Sequence, residues 1–125
     1  MIDKKIRIVI IDDNKNLISF IENILKIKGH EVQSFNTVNQ AENFLKSLKD
    51  TIHAFLLDYS FVNKSGEKLA RQIKEKSPES RIIMTSGCSF SKSDCIKKLL
   101  NEKVIEAFLE KPFSFSDLEQ ILLKR

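Results

Sequence analysis

Residues 6–14 read Ile6-Arg7-Ile8-Val9-Ile10-Ile11-Asp12-Asp13-Asn14. A β-branched run broken only by Arg7 is the pattern of a strand buried on both faces, because a one-sided strand would alternate apolar with polar. Two carboxylates and an asparagine then end it. Leu17, Ile21, Ile24 and Leu25 follow at helical spacing, and Gly29 supplies the stop signal. The unit is strand, acidic turn, amphipathic helix, and it recurs down the chain.

Glu31 to Phe35 reads as a short second strand, after which Asn36 or Thr37 can cap a helix carrying Val38, Ala41, Phe44, Leu45 and Leu48 on one face. Ala54 to Leu57 is a third apolar run and ends at Asp58. A polar loop leads to Gly66 and a helix with Leu69, Ala70 and Ile73 inward, stopped by Ser77-Pro78. Ile82 to Met84 predicts a fourth strand giving way to Thr85-Ser86-Gly87. The spacing of Ile96, Leu99 and Leu100 predicts a helix over about Ser93 to Glu102. Val104 to Leu109 reads as the last strand, and Ser116-Asp117-Leu118-Glu119 has the capping-box pattern that opens a final helix. Strict alternation of five strands with five helices builds a parallel sheet covered by helices on both faces. Five repeats in 125 residues are too few for an eight-fold barrel, which leaves an open, doubly wound α/β sheet. The whole of residues 1–125 is expected to form one domain, since no linker or repeat interrupts it.

Composition removes several classes of function. With 42% hydrophobic and 30% charged residues the chain has the make-up of a folded globular domain rather than a disordered one. No apolar run reaches the ~18–20 residues of a membrane helix. The start Met1-Ile2-Asp3-Lys4-Lys5 puts charge where a signal peptide is apolar, so a cytoplasmic location is expected. Cys88 and Cys95 lack the spacing of a disulfide framework or a zinc site and read as free thiols. The formal charge of +4 comes from basic residues interleaved with acids, which fits a solvated surface better than a nucleic-acid footprint.

In an open α/β sheet, ligands bind beyond the carboxyl ends of the strands where the strand order reverses. The first strand ends in Asp12-Asp13, the third in Asp58, the fourth in Thr85-Ser86, and the fifth runs into Lys111-Pro112. Carboxylates gathered on one rim repel unless a cation or proton intervenes. A hard divalent ion with oxygen ligands is the natural remedy, and few carboxylates plus waters suit magnesium better than calcium. A nearby ammonium and hydroxyl can then hold an anion attached to one carboxylate, so the set amounts to a site for a phosphoryl group on an aspartate. Each piece alone has a plainer reading: Asp-Asp-Asn as a helix cap, Asp58 as a turn residue, Ser86-Gly87 as a turn, Lys111-Pro112 as the end of a strand. Their occurrence together, in order, is the specific signal.

From Ile6 to the final helix the sequence resembles the receiver domains of two-component response regulators, including the chemotaxis-regulator-like ones. The resemblance rests on Asp12-Asp13, on Asp58 after Phe55-Leu56-Leu57, on Gly66, on Ser86-Gly87, and on Phe108-Leu109-Glu110-Lys111-Pro112-Phe113. It implies a flavodoxin-like sheet of strand order 2-1-3-4-5. It implies that Asp58 accepts a phosphoryl group from a phosphohistidine of a sensor histidine kinase or phosphotransfer protein. Mg2+ would be held by Asp12, Asp13, Asp58 and the backbone carbonyl of Ser60. Ser86 would hydrogen-bond the phosphoryl group, with Thr85 the alternative if the strand register is one residue off, and Lys111 would pair with it. Phe108 would be the aromatic that turns inward on activation, and Lys111-Pro112 would be a cis bond. Such a protein is a phosphoacceptor that assists its own phosphotransfer and dephosphorylation rather than a turnover enzyme. Its partners would be an output protein or domain on the surface of the fourth helix, fifth strand and fifth helix, and a second copy in a dimer linked to phosphorylation. Direct binding of nucleic acid or membrane by this domain is not expected.

The chain departs from the family's pattern in places. Phe61-Val62 stands where a Met-Pro pair is common, the stretch from Ser86 to Lys111 is a few residues longer, and the small Gly-Ala step before the fifth strand is missing. An extended fourth helix or loop is therefore expected. No G-x-G-x-x-G or G-x-x-x-x-G-K-[ST] is present to cradle a nucleotide, and Asp12-Asp13-Asn14-Lys15-Asn16 lacks the Asp-x-Asp-x-Thr of haloacid-dehalogenase-type phosphatases. His30 and His53 are expected on the rim opposite the acids. The competing reading is a receiver-shaped module that signals by docking, without phosphorylation. The sequence fits a stand-alone receiver or a piece of a longer regulator or hybrid kinase.

Overall fold

The computed structural model describes residues 5–59, 66–87 and 94–123. Five strands alternate with five helices: β1 (Arg7–Ile11), α1 (Lys15–Ile27), β2 (Glu31–Phe35), α2 (Val38–Lys46), β3 (Ala54–Asp58), α3 (Gly66–Lys76), β4 (Arg81–Ser86), α4 (Asp94–Asn101), β5 (Ala107–Glu110) and α5 (Phe115–Leu122). The strands form one parallel sheet in the order β2-β1-β3-β4-β5, as the resemblance implied. The apolar runs of β1, β3 and β4 occupy its centre, buried on both faces, and the more polar β2 and the short β5 take the edges.

Strand alternation divides the core in two. Val9, Ile11, Phe55, Leu57, Ile82 and Met84 face α2, α3 and α4, meeting Leu45, Ile73 and Leu99 among others. Ile8, Ile10, Ala54, Leu56 and Ile83 face α1 and α5, meeting Ile21, Leu25, Leu118 and Leu122. Each face is close-packed hydrocarbon, so the sheet is a rigid plate that holds its strand ends in register.

Three local boundaries differ from the sequence expectation. The last strand begins at Ala107, not Val104. Residues 102–106 form a turn in which the Lys103 N–H donates to the Leu100 carbonyl (3.0 Å) and the Val104 N–H to that of Leu99 (2.9 Å). Those are the paired bonds of a Schellman ending, with Lys103 in the left-handed region at φ 62°. Val104 and Ile105 are buried by this turn and look like strand only because they are apolar. The final helix is capped by Ser114, whose Oγ accepts the Asp117 N–H at 3.0 Å, rather than by Ser116. The earlier start puts Phe113 and Leu118 in position for a hydrophobic staple, and both pack on the α1/α5 side of the sheet. Finally, β4 runs on through Thr85 and Ser86, beyond the expected end at Met84; the expected extension of the fourth helix or loop falls in part on residues 88–93. Residues 88–93 and the Phe61-Val62 pair lie outside the described residues. Of the two candidate caps for α2, Thr37 is the one used.

Helix α1 ends in the same bonding pattern, His30 N–H to Leu25 (3.0 Å) and Gly29 N–H to Lys26 (2.9 Å), with Gly29 at φ 94°. Two matched turns thus differ in whether glycine supplies the left-handed residue. Left-handed backbone costs a residue with a Cβ about 1–2 kcal/mol, partly offset by the larger unfolded-state entropy of glycine. Lys103→Gly should therefore raise unfolding stability by about 0.5–1 kcal/mol. Gly29→Ala, where a Cβ would touch nothing within 4 Å, should lower it by about 1 kcal/mol through backbone strain alone. Urea melts of the two variants check both signs.

Candidate functional site

The acids converge at the carboxyl ends of β1 and β3. Asp12 immediately follows β1, its N–H donating to the Phe35 carbonyl at 3.1 Å and so extending the β1–β2 pairing one residue past the strand. Its Oδ1 accepts the Asn14 N–H at 2.8 Å, and Asn14 in turn caps α1 by accepting from the Leu17 N–H at 3.0 Å. The capping and acidic-site readings of Asp12-Asp13-Asn14 are both true, with the asparagine doing the capping. Asp58 is the last residue of β3. One carboxylate oxygen from each of Asp12, Asp13 and Asp58 lies within 4.8 Å of the others; Asp12 and Asp58 are buried and Asp13 is exposed.

Lys111 reaches into this cup from the far side. Its backbone N–H donates to the Ser86 carbonyl at 2.8 Å, which ties the end of β5 to the end of β4. Its ammonium donates to Asp12 Oδ2 at 2.9 Å and to Asp58 Oδ2 at 3.1 Å, residues 99 and 53 positions away in sequence. The Lys111-Pro112 bond is cis, as the resemblance implied. Burial alone would lower the Lys111 pKa, but the Asp12 carboxylate, and then that of Asp58, outweigh it and hold it above the ordinary value. A raised lysine pKa means that the ion pairs contribute in full below the unfolded value of about 10.4 and are lost only as pH rises through the higher folded value. Through the neutral range the ammonium is therefore present and engaged.

The strand register decides which hydroxyl shares this face. Asp58 is the Cα partner of Thr85. In a sheet, neighbours in register point the same way and successive residues opposite ways. Ile83 packs with Leu56 on the α1/α5 side, so Thr85 and Asp58, each two residues on, belong to that side too. Ser86 falls in the alternation of Ile82 and Met84, toward α2–α4. Thr85 is thus level with Asp58, and Ser86 stands one residue further toward the carboxyl end of β4. Both residues are fully buried. Phe108, the Cα partner of Met84, is half-buried against the α2–α4 side.

The other sequence candidates sort cleanly. Ser60 lies outside the described residues. His30 and His53 sit at the opposite end of the sheet, where their Nδ1 atoms accept the Ile6 and Arg7 N–H groups at 3.1 and 2.9 Å. Cys95 is a free, half-buried thiol in α4, and Cys88 lies outside the described residues.

With this geometry in hand, comparison with known proteins is decisive. The model of the response regulator receiver domain matches residues 8–123. The chain belongs to that family. A curated relative, the response regulator ArlR of Staphylococcus saprophyticus, is 29% identical over 119 residues, which is 94% of this chain and 50% of ArlR. The receiver thus spans about half the length of that relative. Among solved structures, the BeF3-activated receiver domain of DrrB, a Thermotoga maritima protein, is 28% identical with a TM-score of 0.73, covering 98% of this chain and 100% of that one. A Burkholderia pseudomallei response regulator with a phosphorylated aspartate, calcium and citrate is 19% identical with a TM-score of 0.79, covering 97% and 68%. At that identity it speaks for the fold alone.

The receiver's three carboxylates fit a divalent cation: the oxygens are hard donors, already gathered, and the Lys111 ammonium offsets one charge of their three. A cation that binds only the folded state stabilises it by about 2.7 kcal/mol at a hundredfold excess over its dissociation constant. Magnesium should therefore raise the melting temperature above that in chelator, and Asp13→Asn should remove most of the difference. Lys111→Met leaves two buried carboxylates without their partner, at a cost of about 2–4 kcal/mol. That variant should melt lower in chelator and regain much of the loss with magnesium.

Proposed function

We propose that this receiver is a phosphorylation-dependent signalling switch with Asp58 as phosphoacceptor, supported above all by the Lys111 ammonium lying 2.9 Å from Asp12 and 3.1 Å from Asp58 across the acidic cup. Phosphoryl transfer asks a protein mainly to align donor and acceptor and to neutralise charge on the equatorial oxygens. A carboxylate oxygen of Asp58 attacks phosphorus in line. The O–P bond forms as the P–N bond to the donor phosphohistidine breaks, and the imidazole nitrogen leaves with the electron pair. Mg2+, when held by Asp12, Asp13, Asp58 and the Ser60 backbone carbonyl, supplies charge neutralisation at those oxygens. Lys111 exchanges its contact with the Asp58 carboxylate for one with the new phosphoryl group, as a point charge on a flexible stem.

The Ser86 hydroxyl, with that of Thr85 the alternative, donates to a phosphoryl oxygen. Hydrogen bonds to charged groups contribute about 1.5–3 kcal/mol each, and moving an equilibrium from 1:99 to 99:1 takes about 5.5 kcal/mol. Two or three such contacts therefore suffice to drive a switch. Drawing β4 toward the phosphoryl group opens room for Phe108 to turn inward and remodels the α4–β5–α5 surface. That surface is the one offered to an output protein or domain, or to a second phosphorylated copy. The donor is a sensor histidine kinase or phosphotransfer protein. Each phosphoryl group is accepted and later hydrolysed at Asp58, so the chain is a consumed acceptor rather than a turnover catalyst. Among the described residues no helix is long and apolar enough to cross a membrane. We place the domain in the cytoplasm, where kinase-borne phosphohistidine is found.

Asp58→Asn should abolish labelling by radioactive acetyl phosphate; labelling at the wild-type level would move the acceptor elsewhere. Beryllofluoride with magnesium should shift the resonances of Asp58 and Phe108, and silence there would favour signalling by docking alone. Ser86→Ala should weaken beryllofluoride binding about tenfold, the worth of one such hydrogen bond; a tenfold loss in Thr85→Ala, with Ser86→Ala within about twofold, would move the role to Thr85.

A further inference from the structure

Helix α4 is held to α3 by a chain of polar contacts that the phosphoryl site does not use. Arg71 of α3 stands at its centre. Its guanidinium takes Glu67, one turn earlier, at 2.8 and 3.0 Å, and reaches Glu102, just past the end of α4, at 2.8 Å. Glu67 accepts in turn from the Cys95 thiol in the first turn of α4, at 3.5 Å, and has Lys98 at 4.0 Å. Tyr59, the residue that follows Asp58, packs against the same core as Cys95. Polar contacts therefore run from the start of α4, through α3, to the far end of α4. The helix is gripped at both ends.

Apart from these contacts α4 is short, eight residues, and its packing rests on Ile96 and Leu99 against the core with Cys95 and Leu100 at the margin. Arg71 spans two carboxylates on different elements, which makes its geometry more constraining than a single exposed pair. We propose that the Glu67–Arg71–Glu102 clamp, together with the Cys95 contact to Glu67, holds α4 in its resting position and so sets how readily the switch operates. This inference rests on the phosphorylation reading above, because it concerns the surface that reading makes responsive. Arg71 acts through α4 and is a positioning residue; it touches none of the reacting atoms.

The mechanism is a population argument. A contact present in the resting arrangement and lost when α4 moves stabilises only the resting state, so ligands that favour the active state bind more weakly by that factor. Because the clamp lies on the surface, the factor is small, about two- to fivefold, and is screened by salt.

Titration with beryllofluoride and magnesium, followed by NMR at Phe108 and at α4 amides, tests it in the full chain. Arg71→Gln and Glu102→Gln should each tighten the apparent beryllofluoride affinity about two- to fivefold. The double variant should add nothing beyond the larger single effect, since both remove one coupled contact. Glu102→Asp should restore much of the wild-type value. High salt should bring the wild type toward the variants. In the unliganded variants, α4 amides should shift toward their beryllofluoride-bound positions, which loss of stability alone would not produce. Thermal melts confirm folding; if Arg71→Gln fails to fold, Glu102→Gln, outside the helices, carries the test. A wild type that responds, with variants whose affinities match it, overturns the clamp and leaves the switch standing. A wild type that does not respond overturns the switch and the clamp together.

Discussion

Everything at the rim depends on one electrostatic problem: two carboxylates taken almost wholly out of water, a third beside them, and the Lys111 ammonium drawn between the buried two. A buried ion pair is poor evidence of stability, because well-packed hydrocarbon of the same volume does as well. Its presence at the end of a sheet whose interior is otherwise apolar marks a place kept polar for chemistry. The under-compensated charge makes the cup attractive to a divalent cation, and the ammonium is mobile enough to follow whatever anion replaces the carboxylate it now holds. On the proposed reading, one constraint supplies the metal preference, the activation of the acceptor and the sensing of its modification.

The fold brings this about with ordinary parts. Asp12 is fixed by an N–H to β2 and by the cap of α1, Asp58 by ladder bonds to its neighbours, and Lys111 by an N–H to the end of β4. The anchors of Asp58 and Lys111 are backbone contacts, independent of their side chains. A substitution at Asp58 or Lys111 can therefore alter the reaction while the backbone that presents it remains in register.

The architecture and the acidic cup were legible in the sequence because both follow from strong, short-range signals. Fully apolar runs such as Ile8–Ile11 cannot be anything but interior in a chain this polar, and strand ends in an open parallel sheet must share a rim. What the sequence hid was local. Lys103 closes a turn usually marked by glycine, so the buried Val104 and Ile105 passed for strand. Ser114 and Ser116 both precede an acidic residue by three, and only the seating of Phe113 against the core separates them. Thr85 and Ser86 are adjacent hydroxyls whose roles depend on parity, and a shift of one residue exchanges the two faces of a strand.

Parity also defines the signalling problem. Asp58 and Thr85 continue the alternation of the α1/α5 side of the sheet, whereas Ser86 and Phe108 continue that of the side covered by α2, α3 and α4. A plate packed with hydrocarbon on both faces does not transmit small strains by bending. The edge where β4 and β5 end, joined there by the Ser86–Lys111 backbone bond, is where the two faces meet the site. At that edge Lys111 contacts the site directly, and Phe108 lies three residues before it on the other face. Coupling across the sheet thus needs a shift in one short pair of strand ends. The helix nearest that motion, α4, seats Ile96 and Leu99 in the core and carries ion pairs at its surface. On the proposed reading the driving force amounts to a few hydrogen bonds, so the contacts that α4 gives up on moving must be weak ones, as surface ion pairs are.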